Sequence, residues 1–180
     1  VSLAVLFSWN TTVSEFLMPL VVSLNMIPKV AMGPIFIVWF DYGLGPNIII
    51  AFMISFLPIL ITTTRGLLEV EPELLDLVKS LKGSRWQIFT KIQLPGSLPY
   101  IFSGMKVAVV LAVAGAIVGE FIGSEEGLGY LMQQVQVDLD TPAMFMAVLL
   151  ITLIGVSLYG IVILLERIFV KSDARMENAA

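Results

Sequence analysis

Two stretches of this chain, Tyr42–Thr64 and Thr141–Leu165, contain no charged residue. Each is longer than the ~20 residues that cross a bilayer as α-helix, and a soluble buried helix rarely needs that length. Chain length alone decides nothing, because 180 residues can bury a globular core. The composition points the same way as the runs: hydrophobic residues make up 58% and charged residues 13%, about half the charged share of a soluble domain. The sequence is that of an all-α integral membrane protein.

Between the two runs lies an island of charge, Arg65–Pro95, RGLLEVEPELLDLVKSLKGSRWQIFTKIQLP. A membrane protein keeps such a segment where water or a protein partner receives it. It reads as two short helices. Pro72 suits a first helical turn, and Glu73 and Asp76 favour its positive end. Leu74, Leu77, Val78 and Leu81 make one face apolar. Lys79 and Lys82 fall near the C-terminal end, where Gly83 supplies a left-handed closing residue. Ser84 and Gln87 match a capping box that starts the second helix, and Pro95 is expected to stop it.

These residues resemble the EAA loop of ABC-importer permeases, whose pattern is Glu-Ala-Ala, three residues, Gly, nine residues, then Ile-x-Leu-Pro. Ile92, Gln93, Leu94 and Pro95 keep the ending. Counting back places Asp76, Leu77 and Val78 on Glu-Ala-Ala and Lys82 on the glycine. Lysine resists a positive φ. The turn is therefore expected to close one residue later, at Gly83, with a longer first coupling helix. The flanking segments PELLDLVKS, SRWQIF, LPGSLPYIFSGMKVA, IPKVAMGPIFIVWFDYG and GEFIGSEEGLGYL are similar to the branch importing nitrate, sulfonates, taurine and pyrimidine precursors.

The chain is organised as one transmembrane domain, residues 1–180. Residues 1–9 are expected to end an earlier span, so the chain is taken as N-terminally truncated, and Trp9–Thr12 form a polar break. Residues 15–40 read as a bent or broken helix, with Pro19, Pro28, Lys29 and Pro34 interrupting it. Asp41–Pro46 is a turn by composition. Membrane helices follow at 47–64, 97–122 and 142–165, with the charged loop at 66–95 and an amphipathic piece, Leu128–Val137, in the connection after the third span.

Nine basic residues share one side of this layout: Arg65, Lys79, Lys82, Arg85, Lys91, Lys106, Arg167, Lys171 and Arg175. The other side holds Asp41, Glu120, Glu125, Glu126, Asp138 and Asp140. The positive-inside rule puts the island and the C-terminus in the cytoplasm. Lys29 lines a wet cavity or snorkels to the surface.

Glu120 is the acid that interrupts the third span, and an ionisable group in a membrane helix is a functional hypothesis by default. It belongs to a pathway or gate, or it reaches headgroup water. Gly127 and Gly129 permit a tight turn or close backbone approach; the family likeness suggests an outer-gate element. Gln133, Gln134 and Gln136 are hydrogen-bonding side chains for a polar solute or for solvent.

The chain has no cysteine and no histidine. Thiol, imidazole and Cys/His zinc chemistry are excluded, and no metal site is expected. A net charge of −4 suggests no nucleic-acid partner. There is no Gly-rich phosphate loop, so the chain should not hydrolyse ATP, and with no pair of catalytic-type residues expected at membrane depth it is not expected to be an enzyme.

The resemblance implies a type I (MetI-like) importer permease bundle in the bacterial inner membrane. It also implies a permease homodimer, a separate ABC ATPase that binds the ATP, and a periplasmic or lipoprotein solute-binding protein. No cofactor is expected on this chain. Coupling to the ATPase is implied for Glu73, Asp76, Lys82, Gly83, Ser84, Arg85, Ile92, Leu94 and Pro95. An ion-coupled secondary transporter and a truncated, inactive permease copy are the alternatives.

Overall fold

A computed structural model describes residues 2–9, 11–70, 74, 76, 78 and 80–170. Among them there is no strand. The helices are α1 (Ser2–Trp9), α2 (Thr11–Asn25), α3 (Gly33–Phe40) and α4 (Leu44–Leu68). They are followed by α5 (Arg85–Ile88), α6 (Leu94–Gly123), α7 (Leu128–Val137) and α8 (Thr141–Phe169). Leu74, Asp76, Val78 and Ser80 are also helical. Three helical runs are long and apolar enough to cross a membrane: Leu44–Leu68, Arg85–Gly123 and Thr141–Phe169. Residues 15–25 and 29–40 make a fourth if the broken pair is one span. The all-α membrane class expected from the sequence holds.

Several local expectations do not. Trp9, Thr11 and Thr12 are helical, and Asn10 of the expected polar break lies outside the described residues. α4 begins at Leu44, inside the expected turn, because Pro46 falls in a first turn whose N–H groups have no intrahelical partner anyway. α4 and α8 outrun the expected bounds since hydrogen bonding continues past the hydrocarbon-length core.

Pro95 does not stop the second coupling helix either. Arg85–Gly123 is one helical run. The reason is the π-helical segment Phe89–Gln93, where the Leu94 N–H reaches back to the Phe89 carbonyl. A wider turn at that point relieves the clash that Pro95 would otherwise make with the carbonyl four residues earlier.

The chain divides into two compact units. The first comprises residues 1–22, 58–106 and 162–180. Its buried side chains include Phe7, Leu60, Leu67, Ile101, Phe102 and Val162. Here Gly104 lies against α4: a Cβ on it would sit 3.1 Å from the Ile59 Cα and 3.2 Å from the Pro58 carbonyl oxygen. Gly66 lies equally close to the Tyr100 ring. At the end of α4, Arg65 Nε donates to Glu69 Oε2 at 3.1 Å. That bond, with a second from the Tyr100 hydroxyl, holds the Glu69 carboxyl below its usual range.

The second unit comprises Ser23–Leu57 and Val107–Ile161. Its buried residues include Phe36, Ile50, Ala108, Val135 and Ala147. Small residues again set the helix spacing: a Cβ at Gly115 would meet the Ala51 Cα at 2.9 Å, and one at Gly119 the Asn47 Cα at 2.8 Å. Lys29 stands at the start of a 3-10 turn. Its Nζ donates to the Asn25 carbonyl at 2.8 Å, capping α2 with a cation where the helix dipole favours one.

Candidate functional site

Two clusters hold the sequence-predicted residues, one in each unit. The first is the charged segment. Glu73 lies outside the described residues. Asp76 is exposed and helical, and its carbonyl accepts from the Ser80 hydroxyl at 2.9 Å.

The turn after it corrects the sequence expectation. Lys82 carries the positive φ, 55°, and Gly83 does not. The Gly83 N–H donates to the Val78 carbonyl at 2.8 Å, the six-to-one bond of a Schellman closure. In that motif the left-handed residue is the one preceding the donor, so Lys82 is assigned the role its family gives to glycine. Gly83 is required for a different reason: a Cβ there would overlap Val78 Cγ1 and lie 3.0 Å from the Val78 carbonyl oxygen. One residue supplies the torsion and its neighbour the room.

Ser84 then starts α5 with both bonds of a capping box. The Gln87 N–H donates to Ser84 Oγ at 3.3 Å, and the Ser84 N–H to Gln87 Oε1 at 2.7 Å. Arg85 is exposed, as are Leu81 (74%) and Trp86 (62%). The segment thus presents two large apolar side chains beside basic ones. Ile92 and Gln93 fall in the π segment, and Leu94 and Pro95 open α6. Gln93 Nε2 donates to the Leu67 carbonyl at 3.3 Å, satisfying a group left over at the end of α4.

The second cluster unites Glu120, Gly127 and Gly129. Glu120 Oε2 accepts the Gly129 N–H at 2.6 Å. Gly127 has a φ of 114°, and a Cβ on it would overlap the Glu120 carboxylate. The neighbouring carbonyls of the last turn of α6 are also occupied. The Phe121 carbonyl accepts from Gln133 Nε2 at 2.5 Å, and the Gly123 carbonyl from the Gly43 N–H at 3.1 Å. Gln134 donates to the Tyr130 hydroxyl at 2.8 Å. A bay of about 410 Å³ borders the cluster, lined by Asn47, Glu120, Ser124, Glu125 and Glu126 among others.

Sequence reasoning missed three of these roles. Gln133 holds a helix end, a use that no spacing rule flags. Asn47 is buried with its Oδ1 unpartnered in the structure, against Gly119. Lys106 pairs with Glu166 across 60 residues of sequence. A lysine within an apolar span was the available signal for that pair.

The family model for the binding-protein-dependent transport system inner membrane component matches residues 1–171. The chain belongs to this family. With it comes the type I importer-permease fold expected from the sequence. Among curated relatives of this permease family, the formylaminopyrimidine transport permease protein ThiX of Halalkalibacterium halodurans is 32% identical over 166 residues. The match covers 92% of this chain and 66% of the relative. The riboflavin transport system permease protein RibX of Chloroflexus aurantiacus is 36% identical over 160 residues, 89% of this chain and 60% of that protein. The chain therefore spans less than two thirds of the length of these permeases.

Proposed function

We propose that this chain is the membrane-spanning subunit of an ATP-driven importer in the bacterial inner membrane. In this reading two permease subunits pair around a pathway for a small polar or anionic solute: nitrate, a sulfonate, taurine or a pyrimidine precursor. A solute-binding protein delivers the solute from outside. ATP binds and is hydrolysed on a separate ABC ATPase, and the permease is not itself an enzyme. The coupling segment and the C-terminus face the cytoplasm.

The observation that carries the proposal is the form of the segment from Asp76 to Pro95. Its turn is fixed by Lys82, Gly83 and the Ser84 cap, and it exposes Leu81 and Trp86 on a surface that an apolar partner cleft would cover. Its second helix continues through the π segment into α6 without a break. A partner gripping Arg85 and Trp86 would therefore hold the start of a membrane helix, which is how closure of an ATPase becomes movement in the membrane. Glu120, Gly127 and Gly129 are assigned to the pathway or gate at the other end of that run.

The test is transport in proteoliposomes containing this chain, its ATPase and its binding protein. Uptake should require ATP and stop with vanadate, and replacing Asp76 and Arg85 together by alanine should lower solute-stimulated ATP hydrolysis without loss of membrane insertion. Uptake driven by a proton or sodium gradient without ATP would favour an ion-coupled transporter instead.

A further inference from the structure

Helix α7 has no cap of its own. Its N-cap is Gly127, which has no side chain to accept a bond. The acceptor comes from another helix, since Glu120 Oε2 takes the Gly129 N–H at 2.6 Å. A carboxylate in that position also meets the positive end of the α7 dipole. The approach is close enough to demand glycine: a Cβ at Gly129 would lie 2.8 Å from both the Glu120 Cβ and the Ile117 carbonyl oxygen. One turn further along α7, Gln133 Nε2 donates to the Phe121 carbonyl. Val135 is the buried apolar residue of the same helix.

Both acceptors are consecutive residues at one end of α6. A displacement of about an ångström there would lengthen both bonds beyond hydrogen-bonding range together. The backbone on either side of α7 turns through positive φ, at Gly127 (114°) and at Leu139 (55°). The helix is thus a stiff piece between two sharp backbone turns.

Its attachment point also separates two spaces. Glu120 and Gly127 line the polar bay of about 410 Å³. The same two residues line an apolar crevice of about 530 Å³ bounded by Ala116, Ile117, Leu128 and Ile154. We propose that Glu120 is a positioning residue that latches α7 onto the end of α6, and that α7 swings as a lid about Gly127 and Leu139 during transport, joining the bay to the crevice. The proposal rests on the permease function given above.

The test uses a single cysteine at Val135 in this cysteine-free chain, within the reconstituted transporter carrying its own ATPase and binding protein. With the latch closed, Val135→Cys should react slowly with a maleimide. Glu120→Ala should speed the reaction about tenfold, the factor a lost charge-assisted hydrogen bond carries, and Gln133→Ala should speed it less. Glu120→Gln keeps an acceptor oxygen at the same reach and should stay within about threefold of the unaltered chain. Trapping with ATP and vanadate should raise the rate in the unaltered chain. Equal rates for Glu120→Ala, Gln133→Ala and the unaltered chain would overturn the latch. A rate that trapping does not change would overturn the lid and leave Glu120 a fixed strut. If the assembled complex shows no vanadate-sensitive ATP hydrolysis, the permease function fails, and the contrast between alanine and glutamine still judges the latch.

Discussion

Lys106 and Glu166 form an ion pair between α6 and α8, with Nζ 2.7 Å from Oε2 and 2.9 Å from Oε1. Only 27% and 15% of the two side chains is exposed. The residue after Glu166, Arg167, is exposed, and the pair lies in the same unit as the stacked rings of Phe102 and Phe169. Removing one partner strands the other charge among apolar neighbours, which costs about 3–5 kcal/mol in a fully buried pair and less in one that keeps some solvent. Lys106→Met and Glu166→Met should each lower the melting temperature of the detergent-purified protein. The double replacement should recover much of the loss, because it leaves no uncompensated charge. A double variant as unstable as the sum of the singles would show that the two charges do not interact.

The coupling turn yields a prediction about sign. A non-glycine residue in the left-handed region is disfavoured by about 1–2 kcal/mol, so Lys82→Gly should relieve strain and preserve or strengthen binding of the ATPase. Gly83→Val should weaken it, through overlap with Val78 rather than through torsion. Co-purification of the ATPase with each variant measures both. Weaker binding by Lys82→Gly than by Gly83→Val would mean that the lysine side chain itself makes the contact.

What the sequence revealed follows from the range of the physics involved. The membrane class was legible in Tyr42–Thr64 and Thr141–Leu165, because hydrocarbon length is a property of consecutive residues. The Ser84–Gln87 box was legible because its bonds span three positions. Lys82 was misjudged since intrinsic preference favoured Gly83 for the torsion, while steric overlap with Val78, five residues back, decided which role Gly83 takes. Pro95 was misjudged because a π segment upstream absorbed its effect. Glu120 could be flagged as an acid in an apolar helix, but its partner is a backbone N–H, which no side-chain pattern displays.

Glycine replacements should divide by what the missing Cβ would meet. At Gly104 it would meet the α4 backbone at Ile59 and Pro58, and at Gly119 the Asn47 backbone. Backbone cannot move aside as a flexible side chain does, so alanine at either position should cost about 1–3 kcal/mol by overpacking. Gly155 and Gly160 in α8 have nothing within 4 Å. Alanine there should be neutral or stabilising by up to about 1 kcal/mol from helix propensity. Thermal unfolding of the four single variants in detergent gives the comparison. Loss of stability at Gly155 or Gly160 in the assembled transporter alone would place a partner helix on that face of α8.

Orientation can be read directly, because the chain has no native cysteine to confuse the labelling. Along the sequence the basic residues flank the cytoplasmic ends expected of the spans, and acids without a base occupy the α6–α7 connection, so the positive-inside rule predicts the cytoplasm for the coupling segment and the exterior for that connection. Ser84 is exposed in the structure, so a cysteine there is limited by the membrane rather than by burial. Ser124 lines the open bay at the other end of α6 and is half-exposed. In intact cells a membrane-impermeant thiol reagent should spare Ser84→Cys and modify Ser124→Cys. Permeabilising the membrane should make Ser84→Cys reactive as well. Labelling of Ser84→Cys in intact cells would invert the chain and remove the coupling segment from any cytoplasmic ATPase.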